Sequence, residues 1–335
     1  MPIGSFNSLN HVIVTLNTTE GISGQGEATV IQEFMGESLV QVADEGRLLA
    51  RNLEGADPED LESVHSIIDR LLPSCRSARA AIDEACHDVT GKKHGSPVWR
   101  LLGQRQREYL ACTWAIGLKD PQGTVDEAVF RKSQGYSTFK IKIGDRDEED
   151  LIKIRRLRET LGPEALIRLD ANGAYSRQRA LKMLDRMVPY GLEMVEQPCA
   201  ATELGVMAEL RRSLGIKILA DESVFCAADA ERLIEAGAAD LVNIKIQKLG
   251  GLRPATEVAR MVEEAGLACI VGSCLEVGPG IAASAHFAVT CRSAAGASDL
   301  AAGLQHSDGL GATWFGSPGP TIREPVGPGL GVPLC

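Results

Sequence analysis

Between about Glu108 and Ala301 the sequence alternates short apolar runs with amphipathic helical stretches, and that alternation leaves few folds open. The runs are YLACTWAIG, TFKIKIG, ALIRLDA, LEMVEQP, IKILADE, LVNIKIQ, ACIVGS and GASDLA. Between them lie segments with helical spacing of apolar residues, such as DEEDLIKIRRLRETLG, SRQRALKMLDRM and RPATEVARMVEEAG. Six run ends fall at Lys142, Asp170, Glu196, Asp221, Lys245 and Gly272, in steps of 28, 26, 25, 24 and 27 residues. A strand-then-helix unit of roughly 25–30 residues, with eight runs in all, predicts an α/β fold of the (β/α)8, TIM-like barrel type. An open doubly wound sheet is the rival, but no Gly-rich dinucleotide fingerprint follows the first strand.

Ahead of the barrel, HVIVTLNTTEGISGQGEATV reads as a hairpin. His11–Leu16 alternates, Thr18–Gly21 makes the turn, and Ile22–Ala28 is the second strand. Helices are predicted over Glu33–Arg51, Pro58–Leu71 and Ser77–Lys92, the last punctuated by Gly91 and Pro97. A chain of 335 residues has room for one large barrel domain and a smaller companion.

Composition removes several function classes. A net charge of −10 argues against nucleic acid or an anionic membrane as partner. No run approaches the roughly 18 apolar residues of a membrane span, and MPIGSFNSLN lacks the features of a secretory signal. A cytoplasmic location is therefore expected. The nine cysteines show no CxxC pair or zinc-ligand spacing, so they read as free buried thiols.

The chemistry lies at the run ends. Five successive runs finish in a charge: KIK, RLD, MVE, LAD and NIK. Charges in apolar strands are costly unless paired or metal-bound, and in a barrel the C-terminal strand ends converge on one mouth. Asp170, Glu196 and Asp221 would meet there, with Lys142 and Lys245 flanking them. Three gathered carboxylates repel one another, and a divalent cation removes the conflict. Ligation by oxygen alone favours Mg²⁺, or else Mn²⁺, over zinc. A metal on a substrate carboxylate stabilises the enediolate left when an α-proton departs. A lysine beside a divalent cation and a second ammonium group has its pKa lowered and can act as the base. Lys140 lies two residues before Lys142 and faces the same way, so it is the expected electrostatic partner. Glu222, next to Asp221, is expected to orient a lysine.

The segments FKIKIG, RLDANGAYS, EQP, ADES, NIKIQKLGGL and GSCLEVGPGIAASAHFA, with SDLA and PGLGVPL near the end, resemble the enolase superfamily, in its muconate-lactonizing-enzyme subgroup. The resemblance covers roughly residues 11–335 and implies a modified (β/α)7β barrel with an α+β capping domain. The expected division is a capping domain at 1–107, the barrel at 108–310, and a C-terminal segment at 311–335 that returns to the capping domain. Carried over by position, it implies Asp170, Glu196 and Asp221 as Mg²⁺ ligands and Lys142 and Lys245 as the acid/base pair. Lys140 resembles the partner of the first base, Asn172 the polar residue beside the metal, and Glu222 the partner of the sixth-strand lysine. Glu276, Ser298 and Asp299 would line the pocket that distinguishes substrates.

Two departures stand out. Dipeptide epimerases of this type carry Asp-x-Asp at the eighth strand to grip the substrate amine, whereas this chain reads Ser298-Asp299-Leu300-Ala301. Members also carry a strand and a flexible loop before the hairpin, so residues 1–10 read as the tail of that loop. The expected activity is racemisation or epimerisation of a small carboxylate substrate, such as an N-acyl amino acid, a betaine or a dipeptide, by a homo-oligomer. Cycloisomerisation of the muconate type, and β-elimination by a dehydratase or o-succinylbenzoate synthase, are the alternatives. A catalytically inert relative with a short capping domain is a third. His286 reads as a packed histidine, Trp114 as packing, and His87 and His94 show no clear partner. GPGI at 278–281 is either a helix start whose amides face an anion or a tight turn.

Overall fold

The computed structural model describes residues 8–71, 76–301 and 319–333. Its strands are β1 (Asn10–Asn17), β2 (Ser23–Val30), β3 (Tyr109–Ala111), β4 (Trp114–Ile116), β5 (Thr138–Lys142), β6 (Leu166–Asp170), β7 (Met194–Glu196), β8 (Lys217–Ala220), β9 (Leu241–Ile244), β10 (Ala268–Val271) and β11 (Thr321–Arg323). β1 and β2 form the predicted antiparallel hairpin, turning at Gly21 with φ +81°. The helix Arg76–Lys93 lies across β2 at very close range. A Cβ at Gly26 would stand 1.8 Å from the Ala81 carbonyl oxygen, and one at Gly24 2.6 Å from that of Ala85. That contact is why SGQGEATV alternates glycine with larger residues. The same helix receives the outward N–H groups of β2: Gln25 donates to Asp88 at 2.9 Å and Glu27 to Glu84 at 2.9 Å.

One predicted helix is divided. Instead of running through 33–51, the chain makes a short helix Gln32–Met35, stops at Gly36 with φ +75°, and restarts as Leu39–Asn52. Ser38 caps the restart by accepting the Gln41 N–H. Between them Glu37 accepts the backbone N–H groups of Arg76 and Ser77, which ties the break to the start of the long helix.

β4 to β10 form one parallel sheet in sequence order, with helices between successive strands. The run YLACTWAIG, read as a single strand, is split: β3 pairs antiparallel with β11, and only β4 enters the barrel. The eighth run contributes backbone bridges and no full strand. Thr113 N–H donates to Ser298 O at 2.9 Å, Ser298 N–H to Ala111 O at 2.8 Å, and Asp299 N–H to Val271 O at 2.8 Å. These bonds join both edges of the sheet and close a TIM-like barrel. The ladder is short because Arg168, buried inside the barrel, donates to Ala297 O at 2.7 Å, and Gly296 turns left-handed with φ +68°.

Inside the barrel, Met194, Leu219, Leu241 and Ile270 pack as one apolar layer. Two residues further along their strands the inward positions become Glu196, Asp221, Asn243 and Gly272, so the mouth turns polar. Trp114 is buried, with its ring under Arg131 and its Nε1–H donating to Glu127. His87 and His94, expected to stand alone, bond to Asp83 and Glu59. The described part of the C-terminal segment reaches the long helix, where Leu330 N–H donates to Asp88 at 2.8 Å. The expected loop tail at residues 1–10 falls largely outside the described residues. Among the described residues no helix is long and apolar enough to cross a membrane.

Candidate active site at the barrel mouth

Strand periodicity brings the expected residues together. Lys142, Asp170 and Glu196 are register partners across β5, β6 and β7, and Asp221 and Lys245 follow the ends of β8 and β9. Each acid is met by an ammonium group. Lys142 Nζ lies 2.6 Å from Asp170 Oδ2 and 2.6 Å from Asn172 Oδ1. Lys140 Nζ bridges Glu196 Oε2 at 3.0 Å and Asp299 Oδ2 at 2.6 Å. Lys245 Nζ is 2.6 Å from Asp221 Oδ2.

Asn172 adopts φ +43°, which lets its own N–H reach Asp170 Oδ1 at 3.0 Å. Its amide then joins Lys142 to Glu222, donating to Glu222 Oε1 at 2.8 Å. Glu222 was expected to partner Lys245; it feels that lysine through charge, but its hydrogen bond goes to Asn172. Asp221, which points inward, takes Lys245, while the neighbouring Glu222 is turned toward Asn172. Ser298 closes the barrel through its backbone. Glu276 is buried, accepting the Cys274 N–H at 2.8 Å; burial pushes its carboxyl up, and the charge of Glu27 adds to the effect.

GPGI opens the helix Pro279–Thr290, and the anion that its amides face is Glu27 of β2. That carboxylate accepts N–H from Val277 at 2.9 Å, Gly278 at 2.8 Å and Gly280 at 3.1 Å.

Several residues of the mouth were not singled out from the sequence. Lys248 is fully buried, donating to Asp221 Oδ1 at 2.9 Å, Asp221 O at 2.7 Å and Asn243 O at 2.8 Å. Gln197 accepts the Asp221 N–H at 3.0 Å and so fixes the start of that turn. Asn243 donates to Glu196 Oε1 at 2.8 Å; it lies two residues before Lys245, and strand alternation could have flagged it. Phe34, from the capping side, places its ring 4.4 Å from Lys245 Nζ.

The electrostatics of the mouth follow from these pairings. Burial works against the Lys245 ammonium, yet Asp221 more than reverses it, so the group is held well above the ordinary lysine value. Lys140 is likewise raised, with Asp299 and Glu196 overcoming its burial. At both residues the nearest charges are carboxylates, which is why the ammonium form is favoured. The acids behave differently from one another. Burial and the charge of Asp170 push Glu196 up to about 8 against the pull of Lys140, with Asp221 adding to the rise. Burial, Asp221 and Asp170 push Glu222 up to about 7. Asp221 is held low, because Lys245 and Lys248 outweigh its burial.

Among the described residues no three His, Cys, Asp or Glu side chains converge tightly enough to hold an ion as they stand; each of the three expected ligands is paired with a lysine instead. The donor chemistry nevertheless suits a hard divalent cation. The three expected ligands offer only oxygen, and Glu196 and Glu222 are raised by burial first and by neighbouring acids second. Three buried acceptor oxygens at the mouth, Glu222 Oε2, Asn243 Oδ1 and Asp299 Oδ1, have no hydrogen-bond partner.

Residues 124–335 match the family described as enolase C-terminal domain-like, and residues 1–103 match the mandelate racemase/muconate lactonizing enzyme N-terminal domain. The chain is 32% identical over 333 residues to an N-succinyl-L-Arg/Lys racemase of Bacillus cereus, covering 99% of this chain and 89% of that protein. It is 33% identical over 328 residues to muconate cycloisomerase 1 of Rhodococcus opacus, covering 96% and 88%. Among solved structures, a dipeptide epimerase of Enterococcus faecalis complexed with Mg and L-Leu-L-Tyr superposes with a TM-score of 0.93 at 31% identity, covering 99% of this chain and 94% of that one.

Proposed function

Because this chain belongs to the mandelate racemase/muconate lactonizing enzyme family of enolase-like proteins, we propose that it is an Mg²⁺-dependent racemase or epimerase of carboxylate-bearing amino-acid derivatives. The observation that carries this reading is the placement of two lysines. β5 and β9 stand four positions apart around an eight-membered barrel, so Lys142 and Lys245 face each other across the mouth. Asp170, Glu196 and Asp221 would hold the ion. When bound, it would supply positive charge to the substrate carboxylate and ease loss of the α-proton. Lys142 would take the proton from one face of the α-carbon, and the Lys245 ammonium would give one back on the other; the roles reverse for the opposite enantiomer. Lys140 adds fixed positive charge beside Lys142, and Asn172 holds the Lys142 Nζ in place.

The far end of the site supports an N-acyl amino acid over a dipeptide. A free substrate ammonium needs an available carboxylate, but the half-buried Asp299 is already paired with Lys140 at 2.6 Å, with Arg168 3.6 Å from its other oxygen. Two residues on stands buried Ala301, which offers no charge. The test is α-proton exchange in D₂O with Mg²⁺, followed by NMR, on N-acyl amino acids, dipeptides and muconate. Exchange of both enantiomers of an N-acyl amino acid is expected. Exchange confined to dipeptides would sink the substrate assignment, and consumption of muconate without any α-exchange would make the protein a cycloisomerase.

A further inference from the structure

The turn that follows β9 carries Lys245, Gln247 and Lys248, and Gln247 has no place in the proton-transfer chemistry. It is nonetheless fully buried and bonded at both ends of its amide. Its Oε1 accepts the Thr29 backbone N–H at 2.7 Å, and its Nε2 donates to the Thr29 carbonyl at 2.6 Å and to Ser77 Oγ at 3.3 Å. Thr29 belongs to β2, the strand whose other outward N–H groups, at Gln25 and Glu27, go to Asp88 and Glu84 of the long helix. The third group in that row is taken by a side chain from the barrel. The Gln247 amide thus stands where the backbone of a neighbouring strand would stand, and it adds the lysine turn to the edge of the hairpin. Five residues beyond Thr29, Phe34 covers Lys245 Nζ at 4.4 Å. One short stretch of the hairpin side therefore grips the turn and covers its catalytic end.

From these contacts we infer that Gln247 is a positioning residue, which sets Lys245 on its face of the substrate by tying the turn to the hairpin; this rests on the two-lysine racemase reading. The opposite base is independent of the tie. Lys142 is held by Asp170 and Asn172, both within the barrel. Loosening Gln247 should therefore impair one face of the reaction and spare the other, whereas a general loss of folding would impair both alike.

The experiment measures α-proton exchange in D₂O separately for each enantiomer of an N-acyl amino acid, using wild type, Gln247→Leu and Gln247→Glu. Leucine removes both bonds to Thr29; glutamate keeps the acceptor but cannot donate to the carbonyl. Lys245→Ala identifies which enantiomer depends on that lysine. For that enantiomer Gln247→Leu is expected to slow exchange about 10- to 100-fold, with a smaller loss for Gln247→Glu, while the other enantiomer changes less than about threefold. Equal loss on both faces, or no loss on either, overturns the inference. If Gln247→Leu does not fold, Gln247→Met and Gln247→Glu are read in the same way. Hydrogen exchange of the Thr29 amide in the intact wild type gives a further check, and an unprotected amide there also overturns the inference. A wild type that exchanges neither enantiomer of any N-acyl amino acid or dipeptide refutes the racemase reading itself, and the inference falls with it. That outcome is distinct from a wild type that exchanges both while its variants lose both equally.

Discussion

Replacing Glu27 by alanine should destabilise the protein far more than its position in a small hairpin suggests. The carboxylate is fully buried, and it accepts three backbone N–H groups at the start of the helix Pro279–Thr290 and a bond from His11 Nδ1 at 2.8 Å. Burial alone would raise its pKa, but His11 and the Val277 and Gly278 amides outweigh burial and hold it below the ordinary glutamate value. Truncation leaves three buried N–H donors without an acceptor, at about 1–3 kcal/mol each, so the loss should be at least about 3 kcal/mol. Glu27→Gln keeps one acceptor oxygen and should lose about 1–3 kcal/mol. Equilibrium urea unfolding followed by tryptophan fluorescence measures both. The sign of the pH dependence follows from the lowered pKa. The stabilisation from the charge is present above the ordinary carboxylate range and is lost as pH falls through the lowered value. Wild type and Glu27→Gln should therefore converge in acid. A cost below about 1 kcal/mol for Glu27→Ala would refute the reasoning, since it would mean that those amides find other acceptors.

Three further outcomes are expected. Lys248→Met leaves Asp221 Oδ1 and two carbonyls without their buried donor, which should cost roughly 3 kcal/mol or more in urea unfolding; a neutral result would mean that the turn repacks. Gly26→Ala places a methyl group 1.8 Å from the Ala81 carbonyl, so a large drop in melting temperature is expected, and a Tm within about 2 °C of wild type would contradict the close approach. Burial holds His286 down at about 4, against an ordinary 6.5. The unfolded chain then binds the extra proton between those values, and the stability present above pH 6.5 should fall by about 2 kcal/mol on going to pH 5. His286→Gln should lack that component, so the wild-type and variant stability–pH curves should diverge below pH 6.5, and parallel curves would show that His286 is not held neutral.

The barrel and the inward set of its mouth were legible because a strand has a period of two. Once LIRLD and KIK are strands that end together, the orientation of Asp170 and of both Lys140 and Lys142 follows without further information. The break at Gly36 was not legible, because a single glycine inside a helical pattern costs only about 1 kcal/mol and the pattern continues across it. What decides the break is Glu37 reaching the amides of Arg76 and Ser77, some forty positions away in sequence. The same limit applies at the mouth. Periodicity says which charges face one another but not which pairs form: it allowed Glu222 to meet Lys245, while turn geometry gave that lysine to Asp221. Gln247 and Lys248 lie in the one-turn helix Ile246–Leu249, too short to show a period, so nothing in their spacing distinguished a solvated charge from a buried clamp. Electrostatic partnership depended on the turns, and this explains why Lys140 and Lys245 are held above the ordinary lysine value. A second ammonium group lowers a lysine only where no carboxylate lies closer, and each of these two has an acid within 3.0 Å. Any process that draws Asp221 off Lys245 must therefore lower the pKa of that lysine, and catalysis as proposed requires such an exchange of partners before the proton can move.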